Sequence, residues 1–148
     1  MVNIGIPTDE FNEKKFKKFC KKARVQFPQD YIEFLKKNND GELDENILEL
    51  PDNECCIRYF YGTTEEDYSD LLSNYKWYAD RLPKKCIPIA DSDFGNQICM
   101  SLDEEHYGKI YFWDHETMDT DYGEKCVLKL EDMVLLADSF ESFLDKIH

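Results

Sequence analysis

Three histidines, His106, His115 and His148, are the side chains of this 148-residue chain best suited to move a proton near neutral pH. Of these, His115 alone has a promising setting. It follows the strand-like run Lys109-Ile110-Tyr111-Phe112-Trp113-Asp114, where a Ser or Cys within reach of its ring could become a nucleophile. A histidine between Asp114 and Glu116 at a strand end serves equally as a hydrogen-bonded structural residue, and that role is favoured. No His-Glu-x-x-His, Gly-x-Ser-x-Gly, phosphate-binding loop or Gly-x-Gly-x-x-Gly occurs. Paired carboxylates could divide acid and base work, but with 32 Asp and Glu, close pairs arise by chance and decide nothing.

Two segments, Asp91-Ser92-Asp93-Phe94-Gly95-Asn96 and Asp119-Thr120-Asp121-Tyr122-Gly123-Glu124, alternate oxygen donors like the start of a calcium loop. Both lack the glycine in register and the distant bidentate glutamate, so turns are expected, with Gly95 supplying a positive φ. The six cysteines, Cys20, Cys55, Cys56, Cys86, Cys99 and Cys126, form no Cys-x-x-Cys pair and no zinc spacing, and read as reduced core thiols. No metal or cofactor is expected.

The 32 acidic residues against 18 Lys and Arg leave a net charge of −14, which would repel nucleic acid. The basic cluster Lys14, Lys15, Lys17, Lys18, Lys21, Lys22 and Arg24 alternates with Phe16, Phe19, Cys20 and Ala23 at helical spacing, which is the signature of a solvated face opposite a buried one. The N-terminus has no basic-then-apolar leader and the chain has no long apolar run, so a soluble, cytoplasmic protein is expected.

The elements that must position these residues follow from periodicity. A first helix is expected over Asp9 to Ala23, and a second after Pro28, with Tyr31, Phe34 and Leu35 on one face and Gly41 ending it. Leu48 and Leu50 alternate before the turn Pro51-Asp52-Asn53, and Cys55 to Tyr61 reads as a strand stopped by Gly62. Thr63-Thr64-Glu65-Glu66 matches a capping box, predicting a helix that starts there and carries Tyr68, Leu71, Leu72, Tyr75, Ala79 and Leu82 up to Pro83. The period then changes to two at Ile87/Ile89, Ile98/Met100/Leu102, Ile110/Phe112 and Leu128/Leu130, four strand candidates, before Ser139 caps a helix with Phe140, Phe143, Leu144 and Ile147. Consecutive strands joined by short turns imply a mainly antiparallel sheet flanked by helices, an α+β fold, and nothing in the composition divides residues 1–148 into two domains. Tyr31, Phe34, Leu35, Ile98 and Phe112 belong to the expected core. Trp113 faces away from Phe112 and either packs under a helix, which is favoured, or anchors a partner.

Phe27-Pro28-Gln29-Asp30-Tyr31-Ile32-Glu33-Phe34-Leu35 followed by Asn38-Asn39-Asp40-Gly41 resembles the second-helix signature of the SUKH superfamily. Ile87-Pro88-Ile89-Ala90-Asp91, Gly95-Asn96-Gln97-Ile98-Cys99 and Gly108 to Glu116 are similar to that superfamily's central strands, in its fungal cell-wall-assembly-regulator branch. Ala137-Asp138-Ser139-Phe140-Glu141-Ser142-Phe143-Leu144 fits its last helix. The resemblance spans residues 27–144 in order. It departs at Glu42, where a second glycine is usual, and at Phe94, where a glycine often precedes Gly95, which bears on the shape of those loops.

The resemblance implies no catalytic apparatus. Bacterial members of the superfamily look like immunity proteins that bind and neutralise a toxin's catalytic domain, often a nuclease, while fungal members act as regulatory scaffolds. Such a nuclease is often basic, so a charge of −14 would steer the encounter. The expected partner is therefore a cognate toxin domain, bound by acidic loop residues: Asp91, Asp93 and Asn96, with Asp103, Glu104 and Glu105, and Asp119, Asp121 and Glu124. An acidic DNA mimic and an enzyme of unrecognised type, using His115 with Cys99 or a shifted carboxylate, are the other classes.

Overall fold

The computed structural model describes residues 9–43, 46–115 and 129–148. Helix α1 (Glu13–Ala23) starts where the Asn12 side chain accepts the Lys15 N–H at 3.0 Å, and ends where Arg24 turns left-handed. It begins later than expected because residues 9–12 are used elsewhere. The Asp9 carbonyl accepts from Asn39 Nδ2 at 2.8 Å, and the Asn12 N–H donates to Thr63 Oγ1 at 2.7 Å. Helix α2 (Gln29–Asn38) follows Pro28 and buries Tyr31 and Leu35, while Phe34 is half-buried against the same core.

Six strands follow: β1 (Ile47–Glu49), β2 (Glu54–Phe60), β3 (Cys86–Ser92), β4 (Gln97–Ser101), β5 (Ile110–Trp113) and β6 (Val134–Ala137). They form one antiparallel sheet in sequential order, with helix α3 (Leu71–Tyr78) between β2 and β3 and helix α4 (Phe140–Asp145) after β6. The α+β architecture is thus as expected. On the outer edge of β1, Ile47 and His148 exchange backbone hydrogen bonds of 2.8 and 2.9 Å.

Pairing register sorts the sheet into two unlike faces. Phe60, Ala90, Ile98, Phe112 and Val134 lie side by side on five adjacent strands. Helices α2 and α4 pack on this apolar row through rings, with Phe34 4.8 Å and Phe140 6.1 Å from Phe60, and Tyr31 5.1 Å from Phe140, while α1 joins the same core through Phe16, 5.5 Å from Phe27. On the reverse face the equivalent row is Tyr59, Asp91, Gln97 and Trp113. Trp113 is fully buried there, with Tyr78 of α3 edge-on at 5.3 Å and the Arg81 guanidinium 4.9 Å from its ring.

Two expectations fail. The Thr63 capping box does not form and no helix starts there. The Thr63 hydroxyl takes the Asn12 N–H and lies 3.2 Å from Asn39 Oδ1, so it is unavailable to its own segment. A 3₁₀ turn at Asp67–Ser69 intervenes, and α3 begins instead under Asp70, whose carboxylate accepts the Ser73 N–H at 3.1 Å. The last strand is β6, not a strand at Leu128/Leu130. Leu130 opens a 3₁₀ turn and Leu128 lies outside the described residues. The apolar run Val134–Ala137 can place Ala137 opposite Ile110 and Val134 opposite Phe112, which completes the face under the helices.

Candidate protein-binding surface

A β-bulge places the first group of polar residues. Ile57 pairs with Ser92 and Tyr59 with Asp91, leaving Arg58 as the extra residue of β2. The bulge lays the Arg58 guanidinium 5.7 Å from the Tyr59 ring centre and its Nη1 3.2 Å from Asp91 Oδ2. Asp91 Oδ1 accepts from Gln97 Nε2 at 3.1 Å, and Tyr61 Oη donates to Gln97 Oε1 at 2.5 Å. Burial pushes the Asp91 carboxyl above the usual carboxylate range, against the opposing pull of the Gln97 hydrogen bond and the Arg58 charge. Burial, then the Asp91 charge, likewise raises the phenols of Tyr59, Tyr61 and Tyr78, which stay protonated donors at neutral pH.

Asp91 is therefore not the exposed loop residue expected. It lies inside β3, one residue before its end, and is only 7% accessible, because pairing with Tyr59 and Gln97 directs its side chain into the reverse face of the sheet. Asp93 and Asn96 do flank the β3–β4 turn, both half-buried and both engaged. Asp93 Oδ1 accepts the Cys56 N–H at 3.3 Å and the Ser92 hydroxyl at 3.0 Å, and Asn96 Oδ1 lies 2.9 Å from His115 Nδ1. The His115 ring also packs on Gly95, whose φ of 79° is the expected left-handed turn position. His115 is thus tied to the turn, while the Cys99 thiol sits beside Cys86 in the buried cluster around Trp113, and burial pushes it up, away from a reactive thiolate.

The residues expected to contact the partner lie in more than one place. Asp103, Glu104 and Glu105 follow β4, whereas Asp93 and Asn96 precede it, so the two groups sit at opposite ends of the sheet, roughly 15 Å apart. Asp103 accepts the His106 N–H at 2.7 Å, and Glu104 and Glu105 are exposed on a shallow groove shared with Lys84, Lys85 and Lys129, a surface of mixed sign. Asp119, Asp121 and Glu124 lie outside the described residues. Among the described residues, no three His, Cys, Asp or Glu side chains converge as a metal site would require.

Charge pattern alone missed the aromatic side chains that face solvent. Tyr68, Trp77 and Phe94 are 58%, 75% and 83% exposed. Tyr68 stacks edge-on to Tyr59 at 5.7 Å, which joins it to the Arg58–Asp91 group. Trp77 stands one helical turn beyond Ser73, whose hydroxyl bonds Asp67 and Asp70. Phe94 occupies the β3–β4 turn at φ 61°, so the loop keeps a conformation that glycine adopts without strain. The sequence signal for Phe94 was its place between Asp93 and Gly95, where a turn leaves a large side chain nothing to pack on.

Residues 10–146 match the SMI1 / KNR4 family (SUKH-1). The chain belongs to the SUKH-1 family. This SUKH-1 chain is also 34% identical, over 138 aligned residues, to the SPbeta prophage-derived uncharacterized protein YokK of Bacillus subtilis (strain 168). The alignment takes in 80% of this chain and 65% of that relative's length. The SUKH-1 assignment accounts for the six-stranded sheet with helices on its apolar face. Among the described residues, no helix is long and apolar enough to cross a membrane.

Proposed function

We propose that this chain is a non-catalytic immunity protein of the cytoplasm that binds and neutralises a basic toxin domain such as a nuclease. The observation that carries the reading is the company kept by its exposed aromatics. Tyr68 and Phe94 each adjoin aspartates in sequence, and Trp77 rises from the Asp67–Asp70–Ser73 hydrogen-bonded turn. Tyr and Trp dominate the energetics of protein interfaces, and a charge of −14 favours a basic partner. Family membership supports the same class, since bacterial proteins of this superfamily resemble immunity proteins. The residues that could do chemistry are instead committed: Asp91 to Arg58 and Gln97, and His115 to Asn96.

The test is to express the product of the gene adjacent to this one, alone and with this chain, and to measure growth and complex formation. Growth arrest relieved by this chain, with a stable complex, supports the reading. Arrest that it fails to relieve overturns it. Inhibition of several unrelated nucleases would instead support mimicry of DNA.

A further inference from the structure

At the end of the sheet marked by the β3–β4 turn, a cleft of about 380 Å³ opens beside Phe94. Its floor is apolar, formed by Leu50, Phe112 and Val134, and the carboxylates lining it are those of Asp52, Glu54, Asp93 and Asp114. Asp52 and Glu54 are exposed, and no lysine or arginine of the described residues pairs with Asp52, Glu54 or Asp93. Phe94 stands over this cleft 83% exposed rather than folded into it.

An occupant must satisfy both parts, an apolar stem on the floor and a positive head at the rim. A volume near the lower limit of ligand sites suits one side chain better than a drug-sized molecule. Arginine meets these demands best, since its methylenes lie along apolar surface, its planar head stacks on an aromatic ring, and its fork pairs with carboxylates. From this geometry we infer that the cleft beside Phe94 seats one arginine side chain of the partner protein, stacked on Phe94 and held by Asp93 and Glu54. The inference rests on the partner-binding reading above and names the chemical group recognised at one point of the interface.

A first arm of the test needs no toxin. The isotope-labelled full chain is titrated with acetyl-Gly-Arg-Gly-amide, with its citrulline counterpart, which keeps the shape and removes the charge, and with the lysine peptide. Amide shifts should centre on Phe94, Asp93 and Glu54 and should be several-fold smaller for citrulline. They should vanish in Asp93→Asn/Glu54→Gln and in Phe94→Gly, a change that keeps the turn because glycine accepts the positive φ. Shifts located elsewhere, or equal shifts with citrulline, overturn the site, and equal binding of the lysine peptide overturns the choice of arginine.

In the second arm, Phe94→Gly should weaken the complex with the neighbouring gene's product by on the order of tenfold or more. Peptide binding without a toxin complex leaves the cleft standing and removes the immunity reading. A toxin complex indifferent to both variants does the reverse.

Discussion

Adding a single methyl group at Gly62 should destabilise this fold through a residue 23 positions away in the chain. A Cβ there would overlap the Asn39 carboxamide oxygen, and would lie 2.7 Å from its Cγ and 2.9 Å from its backbone carbonyl carbon. The carboxamide cannot move aside freely. It donates to the carbonyls of Asp9 and Thr63 at 2.8 and 3.0 Å, and accepts the Thr63 N–H at 2.8 Å, while Asn39 itself is 1% exposed. Displacing it orphans the buried N–H and C=O of Thr63, at about 1–3 kcal/mol each, so Gly62→Ala should cost about 2–6 kcal/mol. For a domain of this size that lowers Tm by at least about 4 °C. Urea unfolding followed by tryptophan fluorescence measures the loss. Asn39→Gly removes the carboxamide but keeps the positive φ of 43°, so the two changes together should fall short of additive by at least about 1 kcal/mol. A loss below about 0.5 kcal/mol for Gly62→Ala, or simple additivity in the double variant, would refute the argument.

Phe112→Ala removes a buried ring from the apolar row, between Ile98 and Val134, and should cost about 3–5 kcal/mol in the same unfolding assay. The Asp91 carboxyl, raised by burial, binds its proton more tightly folded than unfolded, so its contribution to stability is most favourable below the ordinary carboxylate range and declines as pH rises through the folded value. The stability of the wild type relative to Asp91→Asn should therefore fall with rising pH across that window, and a relative stability that rises would contradict the assigned environment. Burial pushes the Cys20 and Cys55 thiols up to about 11, so both should label slowly with a disulfide reagent in the native protein near pH 8, whereas all six thiols should label in denaturant. Fewer than six in denaturant would reveal a disulfide.

Much of the architecture was legible because it repeats locally. The i, i+3, i+4 apolar spacing of Phe16 and Phe19, and the alternation through Ile98, Met100, Ile110 and Phe112, predict which side of each element is buried, and these residues do lie in the helix-covered core. Ser139 caps α4, as local side-chain geometry required. The candidate site was less legible. Aspartates in a turn-like segment look alike in sequence whether they reach solvent, as Asp52 does, or point inward beside Gln97, as Asp91 does.

The sequence by itself determined most of the element types, the alternation that separates an apolar sheet face from its reverse, the acidic surplus and, through ordered motifs, the superfamily. These depend on neighbours within a few residues, or on composition, and both are written along the chain. Only the tertiary structure decided where α3 begins, because the Thr63 hydroxyl that a local helix would have used is taken by the Asn12 N–H, 51 residues away. It alone decided that Asp91 is buried, through a bulge at Arg58 and pairing across three strands. It also decided that the carboxylates before and after β4 lie at opposite ends of that strand, since a strand separates its two ends by its own length however similar the residues at each end are.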